Sequence, residues 1–256
     1  MFSLAALVPS PPILVPELCG GTDSAGIDHP DHPDQRAVLR AAVLDVVCTF
    51  ADVSDRWMVL GVGVADDVLG PETVGTFRGF GADLRVGLSS AAVAGPDEAD
   101  PGLALPALIA GWLRGRTAPA AVAQARIVAR DASPDHCAEL GAQLRAELDV
   151  TDASVGVLVV ADGAATLSTK APGYLDERAD AVQDALDRAL TAGDRASIHA
   201  LEPALCAELA LSGRSAYQVL AGLFRADPVV ETRYRDAPFG VGYHVSLWRP
   251  ARDEVL

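Results

Sequence analysis

The residues best suited to chemistry lie in one polar stretch, residues 161–174, which follows the most apolar run of the chain. Asp162 begins this stretch and Lys170, the single lysine of the sequence, lies near its end. An aspartate can act as an acid or base, and a lysine can bind an anion. However, Ala164 and Ala165 stand where a reacting site would be expected to carry a histidine, a cysteine or a second carboxylate. The stretch therefore has the position of a site without its usual nucleophile or ligand.

Each residue of this stretch also has a purely structural interpretation. Asp162 could cap a turn, and Lys170 could be a solvated surface charge. Tyr174 precedes Asp176, which is predicted to cap a helix, and such an aromatic residue commonly makes a staple-type contact. These alternatives stay open from the residues alone.

The elements that must position these residues are buried strands followed by polar loops. Ser10 follows the first strand, and Asp162 follows a later one. The carboxyl ends of parallel strands meet at one edge of an open α/β sheet, so we expect these loops to converge on a pocket. The apolar runs that predict these strands are Phe2–Val8, Trp57–Val62 and Val155–Val160.

The order of patterns predicts an α/β fold made of three layers, α/β/α. Helical periodicity at 35–50 and 134–147 alternates with the strands, which indicates a mixed, mostly parallel central sheet. Ser133 and Pro134 form a strong helix start. Residues 229–234 and 241–248 predict a closing antiparallel hairpin. We expect residues 1–256 to form a single domain.

The composition limits the class of protein. The chain has 256 residues, is 50% hydrophobic and carries a net charge of -15. This acidity argues against nucleic-acid binding, which needs clustered lysine and arginine. The proline-interrupted N-terminal region does not resemble a signal peptide, and no long apolar run predicts a membrane span. Four cysteines without a C-x-x-C pair favour a reducing, cytoplasmic location.

Known catalytic and binding motifs are missing from the sequence. It has no nucleophile elbow, P-loop or zinc motif. Gly61-Val62-Gly63 lacks the third glycine of a dinucleotide fingerprint. Asp28-His29-Pro30-Asp31-His32-Pro33 contains metal-ligand residue types, but its prolines prevent a common helical face, so a solvated loop is favoured over a metal site.

Several motifs taken together resemble a known family. Residues 8–17 read Val-Pro-Ser-Pro-Pro-Ile-Leu-Val-Pro-Glu, residues 208–213 read Glu-Leu-Ala-Leu-Ser-Gly, and residues 239–243 read Phe-Gly-Val-Gly-Tyr. With residues 161–165 and 171–174, this order resembles the class III extradiol ring-cleavage dioxygenases of the B-subunit type and the related Memo-like proteins. The resemblance covers most of the chain apart from about residues 63–123.

The resemblance implies a non-haem Fe(II) centre, held by two histidines and a carboxylate, with a further histidine as acid/base. This sequence departs from the pattern at those positions. The first histidine is replaced by Ser10 and the later loop histidine by Ala165, while the helix carboxylate aligns with Leu211 unless Glu208 reaches in. Neutral hydroxyl and methyl groups do not hold Fe(II), so no metal or cofactor is expected.

The prediction is therefore a degenerate dioxygenase-like pseudoenzyme that binds a small molecule or a protein partner. The alternative is an active oxidoreductase, or another metal-assisted enzyme, with Fe(II) held by Glu208, Asp162 and His244. A metal-free enzyme using Asp162 and Lys170 is a third reading. The resemblance also suggests a homodimer, since family members commonly self-associate. The candidates for lining the pocket are Ser10, Asp162, Lys170, Tyr174 and Glu208.

Overall fold

The computed structural model describes residues 1–19 and 34–251. The segment Asp28–Pro33, in which a metal site was weighed against a solvated loop, lies outside these residues. The described part is built from strands and helices that alternate along most of its length. The strands are β1 (Phe2–Val8), β2 (Arg56–Gly63), β3 (Asp67–Leu69), β4 (Val74–Thr76), β5 (Arg85–Gly87), β6 (Val122–Ala129), β7 (Val155–Val160), β8 (Val229–Asp236) and β9 (Tyr243–Arg249).

The helices include three of only one or two turns. They are α1 (Gln35–Ala51), α2 (Ser90–Ala94), α3 (Leu105–Thr117), α4 (Pro134–Asp149), α5 (Ala179–Ala192), α6 (Arg195–His199), α7 (Pro203–Glu208) and α8 (Arg214–Leu223).

A seven-stranded mixed sheet forms the centre of the fold. Its strand order is β3-β6-β2-β7-β1-β9-β8. The four inner strands β6, β2, β7 and β1 run parallel, whereas β3, β9 and β8 pair antiparallel. The predicted mixed sheet with an antiparallel C-terminal hairpin is therefore confirmed. The short strand β5 pairs with β4 in a separate two-stranded sheet.

Both faces of the sheet are covered by helices, as the three-layer prediction requires. Along β1, Leu4, Ala6 and Val8 belong to the core that α1 and α3 cover. Ala5 and Leu7 point to the opposite face and join the core beneath α4 and α8. Strand side chains alternate between the two faces, so an unbroken apolar run is what a doubly covered strand requires.

Local signals explain where several elements begin and end. Ser133 caps α4, because its side chain accepts a hydrogen bond from the His136 N–H at 3.2 Å, and Pro134 occupies the first helical position. Gly193 ends α5 with a left-handed φ of 68°. The proline-rich segment after β1 forms two 3₁₀ turns, and Arg40 of α1 donates to the Leu14 carbonyl at 2.7 Å.

Across residues 1–19 and 34–251, no helix has both the length and the hydropathy needed to cross a membrane.

Candidate functional site

Ser10 and Asp162 meet because the strands that precede them are neighbours in the sheet. Val8 of β1 pairs with Val160 of β7 in parallel register. The residues beyond these two strand ends therefore emerge side by side at the carboxyl edge. The Ser10 N–H donates to Asp162 Oδ1 at 2.8 Å, and the Ser10 hydroxyl donates to Asp162 Oδ2. The Asp162 side chain thus bonds to the neighbouring loop rather than to a turn of its own.

The surroundings of Asp162 favour its neutral form. Desolvation by the surrounding protein raises the pKa of this carboxyl, and the two hydrogen bonds from Ser10 act in the opposite direction. Within the part of the chain that the structure describes, no cation forms an ion pair with Asp162. Burial and the nearby Asp162 carboxylate also raise the pKa of two tyrosines, Tyr217 and Tyr243.

A cavity of about 450 Å³ opens beside the Ser10–Asp162 pair. Its walls come from the ends of β2 and β7, the start of α3 and the turn between α7 and α8. Pro106 of α3 lies so close to β2 that a Cβ on Gly61 would be 2.3 Å from the Pro106 Cβ. Gly61 therefore serves helix–strand packing rather than phosphate binding. The apolar lining residues are Val62, Leu105, Pro106, Val160, Ala161, Ala207, Ala210 and Leu211.

The turn between α7 and α8 shapes the far wall of the cavity. The Leu211 N–H donates to the Cys206 carbonyl at 2.8 Å and the Ala210 N–H to the Ala207 carbonyl at 3.1 Å, which is a Schellman motif. Ala210 holds the left-handed position with a φ of 49°, where glycine is usual. The motif directs the chain back so that the Gly213 N–H donates to the Asp162 carbonyl at 2.9 Å.

Three titratable side chains belong to the cavity lining: Asp162, Cys206 and Arg130. Cys206 is buried, and desolvation raises the pKa of its thiol to about 11. Arg130 is exposed, and its carbonyl accepts a 2.6 Å hydrogen bond from the buried guanidinium of Arg214. The lining thus combines mostly apolar side chains with a few polar groups, one of which is an arginine.

Of the five candidates for lining the pocket, the structure places Ser10 and Asp162 in the cavity wall. Lys170 and Tyr174 are exposed farther along the loop and do not belong to the lining. Backbone hydrogen bonds explain this, because the Gly163 N–H donates to Gly242 at 2.8 Å and the Leu167 N–H to Gly240 at 3.1 Å. These bonds draw the loop toward the β8–β9 turn.

Glu208, the fifth candidate, also lies outside the lining. Its carboxylate forms an exposed ion pair with Arg178 at 2.7 Å. Ala207, one position earlier on α7, does line the cavity, and successive helical residues point about 100° apart. The sequence pattern that selected Glu208 could not distinguish these two directions.

The donors required for an Fe(II) centre are not brought together. His244 is buried on β9, where its Nε2 lies 3.3 Å from the Thr232 hydroxyl, and it does not line the cavity. In the described ranges, no three residues of the histidine, cysteine, aspartate and glutamate types lie close enough together to hold a metal. The cavity lining offers two serines, Ser10 and Ser212, one carboxyl and a thiol with a raised pKa. This donor set does not fit two histidines and a carboxylate.

A wider groove of about 640 Å³ lies between α3 and β5. Two of the three guanidinium groups in its lining are already engaged in structural bonds: Arg85 donates to Val93 and Arg114 to Gly87, each at 2.9 Å to a backbone carbonyl. The third, that of Arg116, lies over the Trp112 ring, 5.9 Å from its centroid. The smaller cavity at the strand ends is therefore the better candidate, because it combines free polar groups with apolar walls.

The residues that sequence reasoning missed are Arg130 and Cys206. Arg130 directly follows the parallel strand β6, so the rule that loops converge at strand ends applies to it as well. The α7–α8 turn is connected with the site in the sequence only through the resemblance, which aligns Leu211 with a ligand position, and Leu211 does line the cavity.

Comparisons with known proteins show the fold and no more. No family model matches the chain, and no curated protein matches it. A solved structure, that of the uncharacterized protein JW3007 from Escherichia coli K12, is similar with a TM-score of 0.57 and 11% sequence identity. The match covers 96% of this chain and 99% of that one.

Proposed function

We propose that the protein binds a small molecule in the cavity beside Ser10 and Asp162, without an Fe(II) centre. The observation that carries this proposal is the cavity of about 450 Å³ at the carboxyl ends of the strands, together with a lining that does not fit iron. This volume is in the range of small-ligand sites, which are mostly apolar with a few oriented polar groups. On this proposal, the dioxygenase-like motifs of the sequence belong to a fold that is retained without the metal centre.

The Ser10–Asp162 pair supplies the orienting polar group of the site. A protonated Asp162 carboxyl donates one hydrogen bond to a ligand, and in the ionised form it accepts one instead. Ser10 holds the carboxyl in place through two hydrogen bonds, so little side-chain freedom is lost on binding. The apolar walls contribute by removing ligand surface from water, at about 25 cal/mol per Å².

The alternative of a metal-assisted oxidoreductase requires Glu208, Asp162 and His244 to converge. Glu208 is paired with Arg178, and His244 lies against Thr232 and within 3.7 Å of Asp187. An enzyme using Asp162 and Lys170 would need the exposed lysine to swing into the cavity. Small-molecule binding requires no such rearrangement and is therefore preferred. A protein partner is the alternative occupant.

Two further expectations accompany this proposal. All four cysteines are free thiols, which suits the proposed cytoplasmic location. A homodimer remains a prediction from the resemblance alone, and light scattering coupled to size-exclusion chromatography measures it directly.

A variant that fills the cavity tests the proposed function. Ala207 is exposed on α7 and lines the cavity, so Ala207→Trp should occlude the site while leaving the core intact. Ala204 is exposed on the same helix and does not line the cavity, so Ala204→Trp is the matched control. A library of small aromatic and aliphatic fragments is screened by ligand-observed NMR against the wild type and both variants.

We expect fragments that bind the wild type and Ala204→Trp and that lose binding to Ala207→Trp. The proposal fails if every fragment that binds does so equally to all three proteins, or if none binds at all.

A further inference from the structure

Arg130 is a charged residue of the cavity lining that the proposed function does not use. It lies at the end of β6, and its N–H donates to the Gly63 carbonyl at 3.1 Å. Its side chain is exposed. In residues 1–19 and 34–251, it has no ion pair and no side-chain hydrogen bond. A guanidinium without a protein partner beside an apolar cavity is available to a ligand.

The backbone that carries Arg130 is firmly held. Arg214 is 2% exposed, and its guanidinium donates to the Arg130 carbonyl at 2.6 Å and to the Ala132 carbonyl at 2.7 Å. The same guanidinium also donates to Gln218 Oε1 at 2.8 Å. The guanidinium of Arg214 is thus fully engaged in holding the loop after β6. Arg130 lies on that loop, and its guanidinium has no partner among the described residues.

The charge of Arg130 stands out within the lining. Burial raises the pKa of the Asp162 carboxyl and of the Cys206 thiol, so the charge of each depends on pH. Arginine stays protonated at all physiological pH values. Arg130 therefore supplies the permanent charge of the cavity wall, in a chain whose net charge is -15.

The sheet sets the spacing between the two polar ends of the cavity. In the strand order β6-β2-β7, Arg130 and Asp162 follow strands that are two positions apart. Neighbouring strands are about 4.8 Å apart, so the two backbone positions are separated by ~10 Å across the sheet. Two apolar residues also line the cavity: Val62, near the end of the intervening strand β2, and Val160, at the end of β7.

We propose that the ligand is a small organic acid: an apolar body whose carboxylate pairs with Arg130 and whose other end exchanges a hydrogen bond with the Ser10–Asp162 pair. This inference rests on the proposed function. A carboxylate suits the guanidinium because two parallel N–H···O bonds match its geometry. A neutral apolar molecule would leave Arg130 unused.

The test compares an acid with its neutral analogue. The probes are 3-(4-hydroxyphenyl)propanoate and 3-(4-hydroxyphenyl)propanamide, which differ in charge and share the apolar ring and the hydroxyl. Affinities are measured by calorimetry for the wild type, Arg130→Gln and Arg56→Gln. Arg56 is an exposed arginine at the opposite end of β2, so Arg56→Gln matches the change in net charge.

We expect the acid to bind the wild type and Arg56→Gln about tenfold or more tightly than the amide, because hydrogen bonds between charged groups are the strong ones. Arg130→Gln should remove that preference, and Ala207→Trp should abolish binding of both probes. The inference is overturned if the wild type binds both probes equally, or if Arg130→Gln keeps the preference for the acid. In either case, the proposed function still stands if Ala207→Trp abolishes the binding of the probes. If neither probe binds in a way that Ala207→Trp abolishes, the result counts against both the inference and the proposed function.

Discussion

At the scale of single residues, the site depends on the carboxyl group of Asp162, whose surroundings are unusual for an acidic side chain. Asp162 is desolvated, bonded twice by Ser10 and without a cation partner in the part of the chain described here. A carboxyl in such surroundings holds its proton more tightly than in the unfolded chain. The same property that makes it a hydrogen-bond donor for a ligand makes it a cost to stability once it ionises.

The first prediction concerns the pH dependence of stability. The pKa of Asp162 is raised above its value of 3.8 in the unfolded chain, so its stabilising contribution is present below that value and is lost as pH rises through the folded-state pKa. Asp162→Asn removes this titration. The free energy of unfolding of Asp162→Asn minus that of the wild type should therefore increase with pH, as measured by urea denaturation between about pH 4 and pH 8.

Asp176→Asn is the control of opposite sign. Hydrogen bonds from Arg178 lower the pKa of Asp176 to about 2, so its contribution is present above the unfolded pKa and is lost as pH falls. Replacing Asp176 should lower stability near neutrality, with a smaller effect in acid. A difference for Asp162→Asn that stays flat or falls with pH would contradict the assigned environment.

Ala210 is the second residue with an identifiable energetic role. It occupies the left-handed position of the Schellman motif that directs the chain toward Asp162, with a φ of 49°. This conformation costs an L-residue about 1–2 kcal/mol. Ala210→Gly should therefore stabilise the protein by about 0.5–1 kcal/mol, after the greater flexibility of glycine in the unfolded chain is counted.

Ala207→Gly provides the comparison for this effect. Ala207 lies within α7, where glycine is less favourable than alanine by about 1 kcal/mol. Chemical denaturation of the two variants should give changes of opposite sign. If Ala210→Gly destabilises the protein as Ala207→Gly does, the backbone at residue 210 is not strained.

At the scale of the elements, α4 packs closely against α8. A Cβ on Gly141 of α4 would lie 2.4 Å from the Val219 carbonyl oxygen of α8, and a Cβ on Gly222 would lie 2.7 Å from the Ala138 carbonyl oxygen. Both obstructions are backbone atoms, which cannot rotate away. The two helices therefore approach closely only because each carries a glycine at the contact.

The third prediction follows from this contact. Gly141→Ala should destabilise the protein by about 1–3 kcal/mol, because the added methyl group forces the helices apart. Gly115→Ala is the control, since Gly115 is an exposed position near the end of α3 with no atom within 4 Å of the added Cβ. That substitution should be neutral or stabilising by up to about 1 kcal/mol. Equal thermal stability of Gly141→Ala and the wild type would show that the helices are not held as closely as described.

Local sequence signals predicted the helices and strands themselves better than they predicted the contacts between them. Apolar runs placed β1 and β7, and Ser133 with Pro134 placed the start of α4, because these signals act over a few residues. The adjacency of Ser10 and Asp162 followed from the general rule for strand ends. The direction of the 161–174 loop could not be predicted, since it depends on hydrogen bonds to the distant β8–β9 turn.

At the scale of the whole molecule, the parallel order β6-β2-β7-β1 brings four loops to one edge of the sheet. Three of these loops contribute Arg130, Ser10 and Asp162 to the cavity, and the α7–α8 turn closes it. The side chains at this edge are those from which we propose an organic ligand. Both the resemblance and the proposed ligand site therefore depend on the same loops.

The measurement that tests this account most directly is an anaerobic titration of the purified, metal-free protein with Fe(II). We predict no saturable binding at micromolar affinity, because the cavity lining provides no imidazole and only one carboxyl. The same titration of the His29→Ala/His32→Ala double variant separates any iron held by that segment. Stoichiometric Fe(II) binding at micromolar affinity that survives in the double variant and is lost in Asp162→Ala would contradict the account.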